Sequence, residues 1–240
     1  MQHNFLNIIG LMTGTSMDGI DVSLVRTNGL DLKRLNQNYF YKYSNKTKET
    51  LMNILKEDID LNLKRKRLLD DFITSEHYFA LKDLDILKEC DLIGFHGQTI
   101  YHNPSHELSI QIGNPKKLAQ LLNKNVVFDF RSNDIRFGGQ GAPLAPIYHK
   151  YIIEKNKLSL PTCILNIGGI SNLTYWDGDL LIGFDTGPGN ALMDDYMLTF
   201  FNKNFDEDGK VASSGNLLKK EINNFLQNVF FEKKPPKSLD

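Results

Sequence analysis

Two stretches of one design constrain this chain more than any other feature. The first, Ile8-Ile9-Gly10-Leu11-Met12-Thr13-Gly14-Thr15-Ser16-Met17-Asp18-Gly19-Ile20-Asp21-Val22-Ser23-Leu24-Val25, sets two apolar runs on either side of a turn made of glycines and hydroxyls. The second, Cys163-Ile164-Leu165-Asn166-Ile167-Gly168-Gly169-Ile170-Ser171-Asn172-Leu173-Thr174-Tyr175-Trp176, repeats the plan. Apolar runs clasping a glycine turn predict antiparallel hairpins. A turn in which Gly14 and Gly19 are free to take positive φ can aim several N–H groups at one point, and so hold phosphate without a basic patch. Two such hairpins predict related halves that face a nucleotide. The plainer use of a glycine turn is to close a hairpin. Neither stretch is a Gly-x-x-x-x-Gly-Lys-Ser/Thr loop or a Gly-x-Gly-x-x-Gly turn, so the residues around them must decide.

A formal net charge of -1 with 24% charged residues argues against nucleic acid or anionic membrane as a partner. Lysines are dispersed through helical stretches, where solvated faces explain them. Met1-Gln2-His3-Asn4 leads straight into a strand, without a secretory leader, and no apolar run is long enough to span a membrane. A cytoplasmic location is expected. Cys90 and Cys163 lie far apart beside apolar sequence and read as small buried side chains in a reducing compartment.

Along the chain, residues 38–43 alternate as a third strand, 46–57 read as a helix, and 61–88 carry one or two helices with Leu68, Leu69, Phe72 and Ile73 as an apolar stripe that Phe79, Leu81 and Leu84 extend. Residues 91–95 form a short buried strand that ends in the polar cluster His96-Gly97-Gln98-Thr99, the end of a strand where open α/β sheets bind ligands. Asn114-Pro115 caps and opens a helix through Leu122, and residues 126–130 make another buried strand. The passage from Gly138 to Pro146 marks a crossover. The chain is therefore read as α/β with two domains, residues 1–130 and 131–240. In the second, residues 180–184 are a strand, and 190–201 and 216–230 are amphipathic helices, the first with Leu192, Met193, Tyr196, Met197 and Phe200 turned inward.

Phe184-Asp185-Thr186-Gly187-Pro188-Gly189-Asn190 places a carboxylate at the end of a strand, before a tight turn and a helix. The helix start offers unpaired N–H groups and a positive dipole end, a second phosphate contact. Asp185 is either a base for a hydroxyl or water near a phosphoryl group, or a cap for the turn amides. The histidines show no metal-ligand spacing, since Pro104 separates His102 from His106.

Residues 10–21, the His96-Gly97-Gln98-Thr99 cluster, Gln111-Ile112-Gly113-Asn114-Pro115, Asp129-Phe130-Arg131, and residues 138–143, 165–172 and 184–190 together, in this order, resemble anhydro-N-acetylmuramic acid kinase. The resemblance implies a fold of the actin, heat-shock-chaperone and sugar-kinase type, two domains flanking a cleft. It implies an ATP-dependent kinase that opens the 1,6-anhydro bridge of anhydro-N-acetylmuramic acid and phosphorylates O6, in cell-wall sugar recycling. Gly14, Thr15, Ser16, Met17, Asp18, Gly19, Ile20 and Asp21 would then bind ATP phosphates, with Gly168, Gly169, Gly187, Gly189 and Asn190 as the second phosphate turn. Asp185 would be the base that activates water. His96, Gln98, Thr99, Arg131 and Gln140 would contact the sugar. The cofactor implied is ATP with Mg2+; the protein alone holds no metal, and Asp18 is the candidate carboxylate beside the ion. A homodimer is implied as well. Family members continue past the position of Asp240, so the second domain is expected to be incomplete. The alternative function is a catalytically inactive nucleotide- or sugar-binding fragment of such a kinase.

Overall fold

The computed structural model describes residues 4–14, 17–56, 63–103 and 106–239. The chain divides into two compact units, residues 1–141 and 142–240, so the division falls inside the glycine and proline passage.

In the first unit, β1 (Leu6–Met12), β2 (Gly19–Thr27) and β3 (Leu32–Lys42) form an antiparallel meander. The alternation of β2 is decisive: Ile20, Val22 and Leu24 are buried while Asp21 points outward. Helices α1 (Asn45–Lys56), α2 (Leu63–Leu81) and the short α3 (Ile86–Glu89) then carry the chain across to β4 (Leu92–Phe95), which pairs parallel with β1. A parallel neighbour requires such a crossover. The hairpin of β5 (Gln98–Asn103) and β6 (Leu108–Ile112) and helix α4 (Pro115–Leu122) lead to β7 (Asn125–Phe128), parallel to β4, and α5 (Ser132–Arg136) follows. The sheet order is β3-β2-β1-β4-β7. Its core joins Ile9, Leu11, Ile20, Val22 and Ile93 from the strands to Leu51, Ile73, Leu81 and Leu118 from the helices. Each such side chain contributes on the order of 1.5–3 kcal/mol on burial. As the sequence predicts, the Asn114 side chain accepts from the Lys117 N–H at 3.0 Å and Pro115 opens α4.

The β5–β6 hairpin has no clear signal in β5, Gln98-Thr99-Ile100-Tyr101-His102-Asn103, whereas β6, Leu108-Ser109-Ile110-Gln111-Ile112, alternates with period two. On α2 the inward face is Leu69, Ile73, Thr74, His77 and Leu81, whereas Leu68 and Phe79 are exposed. Thr74 fits there because its hydroxyl donates to the Asp70 carbonyl (2.6 Å) and accepts from the Asn114 N–H (2.8 Å). The strand at 126–130 is an edge strand with Val127, Phe128 and Phe130 exposed, so its apolar run does not mark burial on both faces.

In the second unit, α6 (Ala145–Lys155) lies against an antiparallel sheet of β8 (Thr162–Ile167), β9 (Ile170–Trp176) and β10 (Leu181–Pro188), in the order β10-β9-β8. Helix α6 was missed because Pro146 reads as a loop residue, although proline in a first helical turn is equally a start signal. The Lys150 ammonium sits 4.0 Å above the Trp176 ring, and Ile153 and Trp176 are buried. Helix α7 (Ala191–Phe201) and α8 (Lys210–Ser214) follow, then α9 (Lys219–Leu226) and α10 (Val229–Glu232). The single helix expected over 216–230 is thus interrupted: the Asn228 side chain accepts from the Phe230 N–H at 2.9 Å and starts a new turn. Of the α7 stripe, Met197 is buried, but Leu192, Met193, Tyr196 and Phe200 are each about half exposed or more. Periodicity reports that a face is apolar, not what covers it. Cys163 is exposed, not buried; Cys90 is buried.

His77 is 0% exposed, with Nδ1–H donating to the Ile73 carbonyl at 2.8 Å and Nε2 without a hydrogen-bond partner among the described residues. Its ring meets Phe95 edge-on. Burial pushes its pKa down from 6.5 to about 4. The unfolded chain takes the proton as pH falls below 6.5, but the folded chain only near 4, so stability drops through that window. The loss reaches ~3 kcal/mol at its acid end. Denaturant midpoints taken between pH 6.5 and 4 should fall accordingly. His77→Phe should flatten that limb, and an unchanged slope in the variant would rule the assignment out.

Candidate active site

The register pairs Met12 with Asp21 across β1 and β2, while Gly19 and Ile20 continue β2 against Lys42 and Tyr41 of β3. Thr15 and Ser16 lie outside the described residues. The Gly14 carbonyl accepts from the Met17 N–H and from Gln98 Nε2, each at 3.3 Å. Positive φ falls on Met17 (φ 53), whose side chain is buried, and not on Gly19. Gly19 is needed for a different reason: a Cβ there would run into the Tyr41 carbonyl oxygen and the Phe40 ring. The Asp18 carboxylate meets Lys48 Nζ at 2.8 Å, and its carbonyl accepts from the Tyr43 N–H. The Ile20 side chain belongs to the core, so this residue can serve a ligand only through its backbone, and Asp21 sits in β2 facing out.

Beyond β4 the polar cluster forms a chain of hydrogen bonds. The Gly97 carbonyl accepts from Thr13 Oγ1–H (2.7 Å) and from His96 Nδ1–H (2.8 Å), and Arg131 Nε–H donates to His96 Nε2 at 3.1 Å. A carbonyl on one nitrogen and a guanidinium on the other define the imidazole as the neutral Nδ1–H tautomer. Burial lowers the His96 pKa, and the neighbouring Arg131 charge lowers it further. His96 is thus a support for Arg131 and a link to Thr13. Gln98 is fully buried and grips the Gly14 carbonyl, which makes it a brace for the glycine turn; its Oε1 has no partner among the described residues. Thr99 Oγ1 accepts from Gln111 Nε2 at 3.3 Å, and Gln140 is exposed.

An open pocket of about 510 Å³ in this unit is lined by Lys66, His96, Gln111, Asn114, Lys116 and Asp129 among others. Its size and mixed polar and aromatic lining, with Phe95 and Phe128, suit a small molecule. Of the five residues expected on the sugar side, only His96 lines it. The place of Lys66 and Lys116 beside the pocket comes from the packing of α2 and α4 and has no signal in the spacing.

In the second unit the turn at Gly168 and Gly169 meets the start of α7. The N–H groups of Gly189 and Asn190 donate to the carbonyls of Gly169 (2.8 Å) and Gly168 (2.7 Å), and the Ala191 N–H reaches Gly169 at 3.3 Å. The N–H groups of Gly189, Asn190 and Ala191 are therefore engaged, because the two glycine turns interlock. Gly187 takes a φ of +149. Asp185 lies within β10, not after it, at a register shift where Asp185 faces Asn172 and Gly187 faces Ser171. Its Oδ2 accepts from Ser238 Oγ–H and from the Leu239 N–H, both at 3.1 Å. Among the described residues no group of three or more His, Cys, Asp or Glu is placed to hold a metal, and no helix is long and apolar enough to cross a membrane.

A family model described as Anhydro-N-acetylmuramic acid kinase matches residues 6–240. The protein of that name from Rhodopseudomonas palustris is 39% identical over 246 residues, covering 98% of this chain and 67% of the relative. The one from Pelagibacter ubique is also 39% identical, covering 96% and 65%. The chain thus spans about two thirds of the length of these relatives. A solved exopolyphosphatase-like protein is 14% identical with a TM-score of 0.34, covering 97% of this chain and 65% of that one.

Proposed function

The chain belongs to the anhydro-N-acetylmuramic acid kinase family, and on that premise we propose that it phosphorylates 1,6-anhydro-N-acetylmuramic acid at O6 with opening of the anhydro bridge. The observation that carries the reading is the match across residues 6–240, which takes in both glycine hairpins, the His96 cluster and the Asp185 strand. In this reading Asp185 takes a proton from water while the water oxygen bonds to the anomeric carbon and the bond from that carbon to O6 breaks. O6 then bonds to the γ-phosphorus of ATP, and ADP leaves. The products are N-acetylmuramic acid 6-phosphate and ADP. A reaction that consumes ATP belongs in the cytoplasm.

The residues from Gly14 to Asp21 are assigned to the ATP phosphates, with Gln98 holding the Gly14 carbonyl. The Asp18 carboxylate, about half exposed and already beside Lys48, fits a magnesium ion that keeps most of its water. Such an ion would neutralise charge on the β- and γ-phosphates. The amino sugar is assigned to the pocket of the first unit, where Lys66 and Lys116 suit its carboxylate and Gln111 and Asn114 its hydroxyl and amide groups. The sheet order β3-β2-β1-β4-β7 supports reading that unit as the first domain of an actin and sugar-kinase type fold.

The test is product formation. The purified protein, given ATP, Mg2+ and the anhydro sugar, should release ADP and the 6-phosphate in equal amounts. ATP hydrolysis that ignores the sugar, or sugar binding without turnover, would overturn the reading.

A further inference from the structure

We infer that Ser238 is a positioning residue for the Asp185 carboxylate, acting together with the Leu239 amide from a segment that adds to the open edge of β10. The inference rests on the base role proposed for Asp185. Three hydrogen bonds join the two places: the Asp185 N–H donates to the Lys237 carbonyl at 2.9 Å, and Ser238 Oγ–H and the Leu239 N–H both donate to Asp185 Oδ2 at 3.1 Å. Among the described residues no donor is recorded for Oδ1.

The segment is anchored on its own account. Lys237 Nζ donates to the Phe230 carbonyl at 3.0 Å, and the same ammonium stands 4.5 Å above the ring of the buried Phe230. Residues 237–239 are thus pinned to α10 on one side and to β10 on the other. At that point the β9–β10 register shifts, and Thr186 Oγ1 turns to the Ser171 carbonyl and hydroxyl. A bulge re-aims the side chains around it. A carboxylate there would rotate freely about its last torsion unless something held its plane. Two donors on one oxygen do so, and they direct the other oxygen, Oδ1, to take the proton from water. Nothing in the motif around Asp185 reveals this partner, which lies in the segment 237–239.

The order of magnitude follows from what misplacement of a reacting group costs, up to about a hundredfold for 1 Å. With the Leu239 amide still in place, Ser238→Ala should lower kcat by about tenfold while leaving KM for the sugar and for ATP within about twofold. Ser238→Thr, which keeps the hydroxyl, should restore turnover. Ser238 is exposed, so neither change threatens folding. Lys237→Ala, which frees the segment, should reproduce the loss in kcat. The control is Asp185→Asn. If that variant keeps near-normal turnover, the base role fails and the inference falls with its premise. If it is inactive but Ser238→Ala retains a normal kcat, the base role stands and the positioning role is overturned. A rise in KM for the sugar at unchanged kcat also overturns it, by making Ser238 a substrate contact.

Discussion

Asp185→Asn should lower turnover of the anhydro sugar by roughly a hundredfold to ten-thousandfold, the range for loss of a positioned base. The substitution keeps the shape of the side chain and an oxygen that can still accept from Ser238 and Leu239, so the local hydrogen bonds survive. What is lost is the capacity to take a proton from water as the anomeric bond opens. Because the change is nearly isosteric on a partly buried strand residue, the unfolding midpoint should move little. Calorimetric affinity for the sugar should stay within a few fold. The measurement is the initial rate of ADP and 6-phosphate formation under saturating substrates. A variant that turns over within a factor of a few of the parent would remove Asp185 from the chemistry.

Gly189→Ala should be among the most damaging single-methyl additions to the fold. A Cβ at Gly189 would overlap the Gly168 carbonyl oxygen, and its next neighbours, the Gly168 carbonyl carbon and the Gly169 oxygen at 3.2 Å, are also backbone atoms that cannot swing aside. The same contact carries the Gly189 and Asn190 N–H bonds to those carbonyls, so separating the strands of backbone breaks both. Overpacking plus two lost hydrogen bonds amounts to roughly 3–5 kcal/mol, a large part of a domain's net stability. Gly169→Ala provides the contrast within the same pair of turns, since its nearest neighbour is the Ala191 Cβ at an ordinary 3.7 Å. Thermal or denaturant unfolding should show the first variant strongly destabilised and the second close to the parent. Equal stability for the two would contradict the interlock.

Much of the sheet could be read directly. Both hairpins, the strand before His96 and the Asn114-Pro115 helix start are local patterns of alternation, glycine and capping, and they fall where expected. The failures have a common physical origin. Leu192, Met193, Tyr196 and Phe200 of the α7 stripe, and Val127, Phe128 and Phe130 of the 126–130 run, are apolar in sequence but exposed, because apolarity does not name a partner. His77 and Gln98 are polar in sequence but fully buried, because a carbonyl one helical turn away in one case and the Gly14 carbonyl in the other satisfy part of each side chain. Gly19 was credited with positive φ, yet the strained position is Met17, held there by burial of its side chain.

By itself the sequence determined the two glycine hairpins, the Asn114-Pro115 helix start and membership in a kinase family, since each depends on neighbours in the chain or on the order of short motifs. Tertiary structure alone decided which donors meet which acceptors. Thr13 finds Gly97 across 84 residues, Arg131 finds His96 across 35, and Ser238 finds Asp185 across 53. A hydrogen bond is made within about 3 Å and is indifferent to separation along the chain. The state of His96, the engagement of the Gly189 and Asn190 amides and the hold on Asp185 are therefore properties of the folded chain, not of any motif.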